Sequence, residues 1–203
     1  MLNIGIFNFG SGNLKSIIQI LNNLSLNLNL YIINKNFNNL EKLNKVIIPG
    51  QGNPYCLIKE FLRFDFIKIK NLFNNIKIFG ICIGKQIFYK SSSELNTKCL
   101  NYLEGHVNSF NFKNNKKIPN IGWNRVYIIK KHKLLNGIKN NDFFYFSHTY
   151  YIINKNYKFI QSISKYNTFY PSIFIKNNLF LVQFHPEKSF KKGYKIFYNF
   201  CIW

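Results

Sequence analysis

Short apolar runs recur along the chain, most of them closed by glycine, asparagine or proline, and this pattern predicts strands alternating with helices. Leu2–Phe7 reads as a strand; Gly10-Ser11-Gly12 follows as a turn, and residues 13–24 carry apolar side chains at helical spacing. Leu28–Ile33, residues 46–49 and Lys77–Ile81 predict three more strands, and the segments between them, such as 54–75, are long enough for helical crossovers. That alternation implies a parallel sheet. The second half is richer in strand signals, at 107–112, 125–129, 143–147, 159–164, 172–175 and 179–184, before a helical pattern at 192–200. The expected class is α/β, a mostly parallel central sheet flanked by helices in the flavodoxin-like manner, with additional antiparallel strands in the second half. No repeat or linker divides residues 1–203, so a single domain is expected, with Asn114-Asn115 and Asn177-Asn178 marking surface turns. The Gly10-Ser11-Gly12 turn lacks the third glycine and the G-K-[ST] of phosphate loops, and reads as a tight strand-to-helix turn capped by Ser11 or Asn13.

Composition changes this picture little. With 203 residues, 47% of them hydrophobic, the chain can bury a substantial core. Its formal charge of +21 would ordinarily point to nucleic acid or an acidic membrane. Yet the chain has no alanine, Arg63 and Arg125 are its only arginines, and Asn, Ile, Phe, Tyr and Lys abound, the preferences of AT-rich codons. The lysines are scattered rather than gathered in one arm, so neither nucleic acid nor membrane is expected as a partner. Residues 16–34 are uncharged but interrupted by Asn22, Asn23, Asn27 and Asn29, and no secretory pattern opens the sequence, which leads to the expectation of a soluble cytoplasmic protein. The four cysteines form no C-x-x-C pair and have no histidine at metal spacing; no metal and no disulfide are expected, and Cys56, Cys99 and Cys201 read as ordinary packing.

Three segments carry candidate chemistry. In Gly80-Ile81-Cys82-Ile83-Gly84-Lys85-Gln86, glycines on both sides of a cysteine remove the Cβ atoms that would clash where a strand folds sharply into a helix, so Cys82 reads as a nucleophile elbow. In Gln183-Phe184-His185-Pro186-Glu187-Lys188-Ser189, Pro186 favours an extended His185, and an extended segment would turn Glu187 to the same side, where it can orient the imidazole. A thiol, a base and an orienting carboxylate make a triad suited to acyl transfer at an amide. The third, Val46-Ile47-Ile48-Pro49-Gly50-Gln51-Gly52, ends a parallel strand at the same sheet edge. An oxyanion hole needs two converging amides, for which Ile83 and either Gln51 or Gly52 are the candidates.

With P-G-x-G, G-x-C-x-G-x-Q and F-H-P-E in that order, the whole chain resembles the class I, triad-type glutamine amidotransferases. Gly122-Trp123-Asn124-Arg125-Val126 and Phe144-Tyr145-Phe146-Ser147-His148-Thr149-Tyr150 look like the glutaminase subunits of imidazole glycerol phosphate synthase, in histidine biosynthesis. The resemblance implies hydrolysis of L-glutamine to glutamate and ammonia through a thioester on Cys82, with His185 moving the proton and Glu187 orienting it, and no cofactor. It implies that Gly50, Gly52, Ile83, Gln86, Glu94, His148, Thr149 and Tyr150 line the glutamine pocket or oxyanion hole, with Glu94 on the substrate's α-ammonium. It also implies a heterodimer with a (β/α)8-barrel cyclase subunit that receives the ammonia, with Asn13 and Trp123 toward that interface. The chain departs from the family pattern at Gln51, where a small apolar residue is usual, at Lys85 in place of methionine, which leaves its cation either acting on the thiolate or pointing to solvent, and at Asn120 in place of a histidine at the interface. Rival readings are a glutaminase for anthranilate, aminodeoxychorismate or pyridoxal phosphate synthesis, a non-catalytic scaffold subunit, and a basic nucleic-acid-binding protein.

Overall fold

The computed structural model describes residues 1–10, 13–37, 39–50, 52–64, 66–111, 117–153 and 157–203. Strands β1 (Leu2–Phe7), β2 (Leu28–Ile33), β3 (Lys45–Ile48) and β4 (Lys77–Ile81) alternate with helices α1 (Leu14–Asn22), α2 (Pro54–Phe61) and α3 (Phe66–Asn75), and the short helix α4 (Ile83–Gln86) follows β4 directly. After these come β5 (Ser91–Ser92), β6 (Thr97–Lys98), β7 (His106–Ser109), β8 (Asn120–Ile128), β9 (Asp142–His148), β10 (Tyr150–Ile153), β11 (Ile160–Tyr166), β12 (Thr168–Lys176) and β13 (Leu179–Val182), and α5 (Phe190–Ile202) closes the fold.

The main sheet has nine strands in the order β2-β1-β3-β4-β13-β12-β11-β8-β9. Its first five are mutually parallel and the rest add antiparallel. A second sheet orders β10-β7-β5-β6. Every residue of β3 and β13 is buried, as befits parallel strands covered on both faces, whereas β8 mixes buried and exposed positions at the far end. Without alanine the interior is filled by isoleucine and phenylalanine: Phe79 of β4 stacks on its register partner Phe180 of β13 at 4.7 Å, and α5 lays Phe197 and Phe200 against the same ring at 5.4 and 5.1 Å.

Several boundaries differ from those the sequence suggests. The expected crossover at 54–75 joins the parallel strands β3 and β4 through two helices, and β5, β6 and β10 appear where no strand is expected. Strand β13 stops at Val182, two residues early; Gln183 still gives its amide to the Ser172 carbonyl of β12 at 2.8 Å, and His185 gives its own to the Tyr145 carbonyl of β9 at 2.8 Å. Asn177 takes φ 52° in the β12–β13 turn, a conformation asparagine tolerates; Asn114 and Asn115 lie outside the described residues. The Asn13 side chain does not cap α1 but accepts from the Ser16 hydroxyl at 2.6 Å, and Ser11 lies outside the described residues. Of the three cysteines read as packing, Cys201 is buried and Cys99 half-buried, but Cys56 is exposed on the first turn of α2. Not every lysine is solvated: Lys45 is buried and donates to the Phe200 and Cys201 carbonyls at 2.7 and 2.6 Å, a cation on the last turn of α5. Among the described residues no helix is long and apolar enough to cross a membrane.

Candidate active site

Cys82 joins β4 to α4 with φ 51° and ψ −109°, in a region that non-glycine residues enter at a cost of about 1–3 kcal/mol. Register and glycine hold it there. Ile48 of β3 pairs with Gly80 and Ile81 of β4 with Val182 of β13, while the Cys82 amide donates to the Val182 carbonyl at 2.8 Å. A Cβ on Gly50 would lie 1.9 Å from the Ile81 carbonyl oxygen, and one on Gly84 would lie 2.2 Å from that of Ile48. The turn after β3 and the start of α4 therefore approach each other as only glycine permits. Gly50 thus supports the elbow from beneath; it does not line the cleft beside Cys82.

His185 and Glu187 meet as the sequence predicts, Nδ1 to Oε1 at 2.7 Å, both side chains almost wholly buried. The local backbone differs from the prediction. His185 is extended, with φ −100° and ψ 93°, but Pro186–Lys188 forms a 3-10 turn, so the carboxylate is curled back onto the imidazole rather than projected beside it along a strand. Ser189 locks this turn by donating to the His185 carbonyl at 2.6 Å and accepting the Tyr145 amide at 3.0 Å. Burial alone would strip the imidazolium of its proton. The Cys82 sulfur and then the Glu187 carboxylate outweigh that effect and raise the His185 pKa to about 10. The Gln183 amide and the Ser147 carbonyl also lie at the Cys82 sulfur, at 3.8 and 3.9 Å.

Beside Cys82 opens a cleft of about 200 Å³ lined by Gly52, Ile83, Gln86, Glu94, Pro119, Ser147, His148, Thr149 and Tyr150. Seven of these are residues the sequence nominated; Ser147 and Pro119 were not. Gln51 lies outside the described residues. Ile83 is the first residue of α4, where a helix has no carbonyl for its amides. Gln86 donates to the Tyr150 carbonyl at 3.1 Å, leaving Oε1 buried without a partner among the described residues. Burial raises the pKa of the Glu94 carboxyl.

His148 forms a wall of the cleft rather than a free hydrogen-bonding group. Its Nδ1 faces the Tyr150 carbonyl at 2.8 Å, which can only accept, so the proton is on Nδ1 and Nε2 takes the Asn120 amide at 3.1 Å. Burial, the largest effect, lowers its pKa to about 3 against the pull of the Tyr150 carbonyl, and Lys85 and His185 add to the fall. Asn120 is buried and also donates to the Tyr170 hydroxyl at 3.1 Å, so it is an internal partner of His148 and not an interface contact. Only contacts between distant segments reveal these roles of Asn120, Gln183 and Ser189. Lys85, which the sequence left either acting on the thiolate or reaching solvent, is fully buried. Trp123 is 46% exposed and stacks on Phe190 at 5.4 Å, and Asn13 is half-buried at the head of α1. Among the described residues no group of three or more His, Cys, Asp or Glu side chains could hold a metal ion.

The family model that matches residues 5–203 is described as glutamine amidotransferase class-I. The chain is 37% identical to imidazole glycerol phosphate synthase subunit HisH of Methanocaldococcus jannaschii over 97% of each chain. It is 36% identical to the subunit of the same name from Blochmanniella floridana over 98% of each. Among solved structures it resembles a glutamine amidotransferase with a TM-score of 0.72 at 15% identity, over 97% of this chain and 96% of that one. It also resembles a glutamine amidotransferase of Thermotoga maritima, with a TM-score of 0.59 at 17% identity over 92% and 76%. At those identities the structural likeness speaks for the fold alone.

Proposed function

Because the chain belongs to the class I glutamine amidotransferases, we propose that Cys82, His185 and Glu187 are its catalytic triad and that the cleft beside them holds L-glutamine. Full-length likeness to HisH subunits supports the reading that the chain works as the glutaminase of imidazole glycerol phosphate synthase, in histidine biosynthesis. The observation that carries the site reading is the buried His185–Glu187 pair set against Cys82 on its strained turn.

In this mechanism the Cys82 sulfur attacks the side-chain amide carbon of glutamine. The oxygen that becomes negative is held by the Ile83 amide and a second donor from the turn after β3, at Gln51 or Gly52. His185, protonated in the resting pair, gives its proton to the departing nitrogen as the carbon–nitrogen bond breaks, which releases ammonia and leaves a γ-glutamyl thioester. The imidazole, now neutral, takes a proton from water as the water attacks the thioester. Glutamate leaves and the paired resting state returns. Glu187 holds the imidazole in one tautomer throughout, and Glu94 faces the substrate's α-ammonium. Gln86 Oε1 offers an acceptor to the substrate, while Thr149, Tyr150 and His148 shape the cleft.

The ammonia is delivered to a cyclase subunit with a (β/α)8 barrel in a cytoplasmic heterodimer, the present chain forming one amidotransferase domain over residues 1–203. What supports the location of that interface is an aromatic patch at the edge of the triad. Phe190 is 81% exposed, has φ 44° although it is bulky, and stacks on Trp123. Lys188 lies over the Tyr145 ring at 5.5 Å, and the Tyr145 carbonyl takes the His185 amide. Exposed, contiguous aromatic surface of this kind marks a contact face; Trp123 and Asn13 belong to it in this reading.

The test is glutamine-dependent synthesis with the cyclase and its nucleotide substrate. Cys82→Ala is expected to abolish turnover with glutamine and to retain turnover with added ammonia. Loss of both, or neither, refutes the assignment.

A further inference from the structure

Strand β9 closes one edge of the main sheet, with β12, β11 and β8 between it and β13. An edge strand leaves backbone amides and carbonyls without a ladder partner. At Tyr145 both groups are taken by the segment that follows β13. The Tyr145 carbonyl accepts the His185 amide at 2.8 Å, and the Tyr145 amide donates to Ser189 Oγ at 3.0 Å. Ser189 Oγ in turn donates to the His185 carbonyl at 2.6 Å, which closes a ring of three hydrogen bonds through residues 145, 185 and 189. Neighbouring rings fasten the same two segments, Phe184 stacking on Phe144 at 4.1 Å with both side chains wholly buried. Helix α5 backs the turn so closely that a Cβ on Gly193 would lie 1.7 Å from the Pro186 carbonyl oxygen.

We propose that Ser189 is a positioning residue for the base, its hydroxyl fixing the His185 backbone to the edge of β9 and with it the imidazole that Glu187 orients. The inference rests on the reading of His185 as the base and adds to it a residue that does not line the cleft. Ser189 is buried and supplies the one side chain in the ring. A hydroxyl suits that place because it donates and accepts at a single atom. Without it the Tyr145 amide and the His185 carbonyl lose their partner together, and one of the two bonds between His185 and β9 becomes the only one left. A serine that served stability alone would lower the melting temperature of its alanine variant and leave turnover well below that temperature unchanged.

Steady-state kinetics of the full chain with the cyclase and its nucleotide substrate provide the test, at a temperature well below the melting point of each variant. In Ser189→Ala, kcat with glutamine is expected to fall at least about tenfold while KM for glutamine holds, since a base displaced by a fraction of an ångström affects the reacting geometry and not the cleft. Turnover with added ammonia should be retained. Ser189→Thr keeps the hydroxyl and should recover most of the lost turnover. A parent-like kcat in Ser189→Ala, a loss that appears in KM alone, or equal losses in both folded variants overturns the inference on Ser189. Glutamine turnover that survives Cys82→Ala is a different result, and it overturns the triad itself. A further measurement needs no variant: hydrogen exchange at the Tyr145 and His185 amides of the parent chain should be as slow as in the buried strand β13. Fast exchange at either amide refutes the ring even if Ser189→Ala does not fold.

Discussion

Two buried basic groups, His185 and Lys85, respond to pH in opposite senses. The His185 pKa stands above its ordinary value, so the stabilisation from its pairing is complete below about pH 6.5 and is lost as pH rises through about 10. The Lys85 pKa stands below its ordinary value, so the folded state binds fewer protons there than the unfolded chain, and the cost of burying the charge is full below about pH 7 and relieved as pH climbs toward 10.5. Lys85→Met should therefore melt above the parent protein at neutral pH, and the gap should narrow between about pH 7 and pH 10; thermal melts across that range would contradict this if the gap were constant or widened. Glu187→Gln keeps the shape of the His185 partner but removes its charge. It should lower glutamine turnover by about 10²–10⁴-fold, the usual worth of general acid–base catalysis, and shift the His185 titration to lower pH by NMR. Turnover within a few-fold of the parent would remove Glu187 from the triad.

The elements holding these residues differ in how openly the sequence announces them. Strands β3, β4 and β13 are legible because parallel strands covered on both faces carry near-continuous apolar runs, broken here only by a leading lysine in β3 and β4 and by Gly80, and each ends in a segment built for the site. The glycines around Cys82 are legible for the same local reason, since the elbow leaves no room for a side chain at Gly50 or Gly84. Strands β5 and β6 are two residues each and β10 follows β9 after Thr149 alone, too short or too close to carry a periodic signal. The pairing of Glu187 with His185 could be read from their spacing, but not the 3-10 turn that achieves it. Contacts across the chain were illegible: Lys85 finds its acceptor 86 residues away on β12, and His148 finds Asn120 from a neighbouring strand. At this scale Gly84→Ala is the sharpest probe. Its methyl would drive into the Ile48 carbonyl and part α4 from β3, at an expected cost of about 1–3 kcal/mol in urea unfolding. Displacing the elbow by even 1 Å should also cost turnover about 10²-fold. An alanine variant with parent-like stability and activity would mean that the two segments do not approach each other so closely.

For the whole molecule, the +21 charge and the aromatic face act together. Lys188 over Tyr145 and Arg125 over Phe143, at 5.5 and 5.3 Å, place cations around the exposed Trp123–Phe190 stack, so the face that borders the triad is apolar at its centre and positive at its margin. A partner that covers it should offer an apolar socket with an acidic rim, and association should slow as salt screens that rim. The charge explained at first by codon bias thereby gains a use, because like charge spread over one chain is tolerated when an acidic partner completes the assembly. Phe190 belongs to the apolar centre of this face. Its ring is almost free of the core, so Phe190→Asp should leave the melting temperature close to that of the parent chain, while placing a carboxylate where the apolar centre docks. Binding to the cyclase subunit, measured by calorimetry at fixed ionic strength, should weaken by at least about tenfold, the equivalent of 1.4 kcal/mol. An affinity unchanged by this substitution would place the partner on another face and leave the exposed stack without a role.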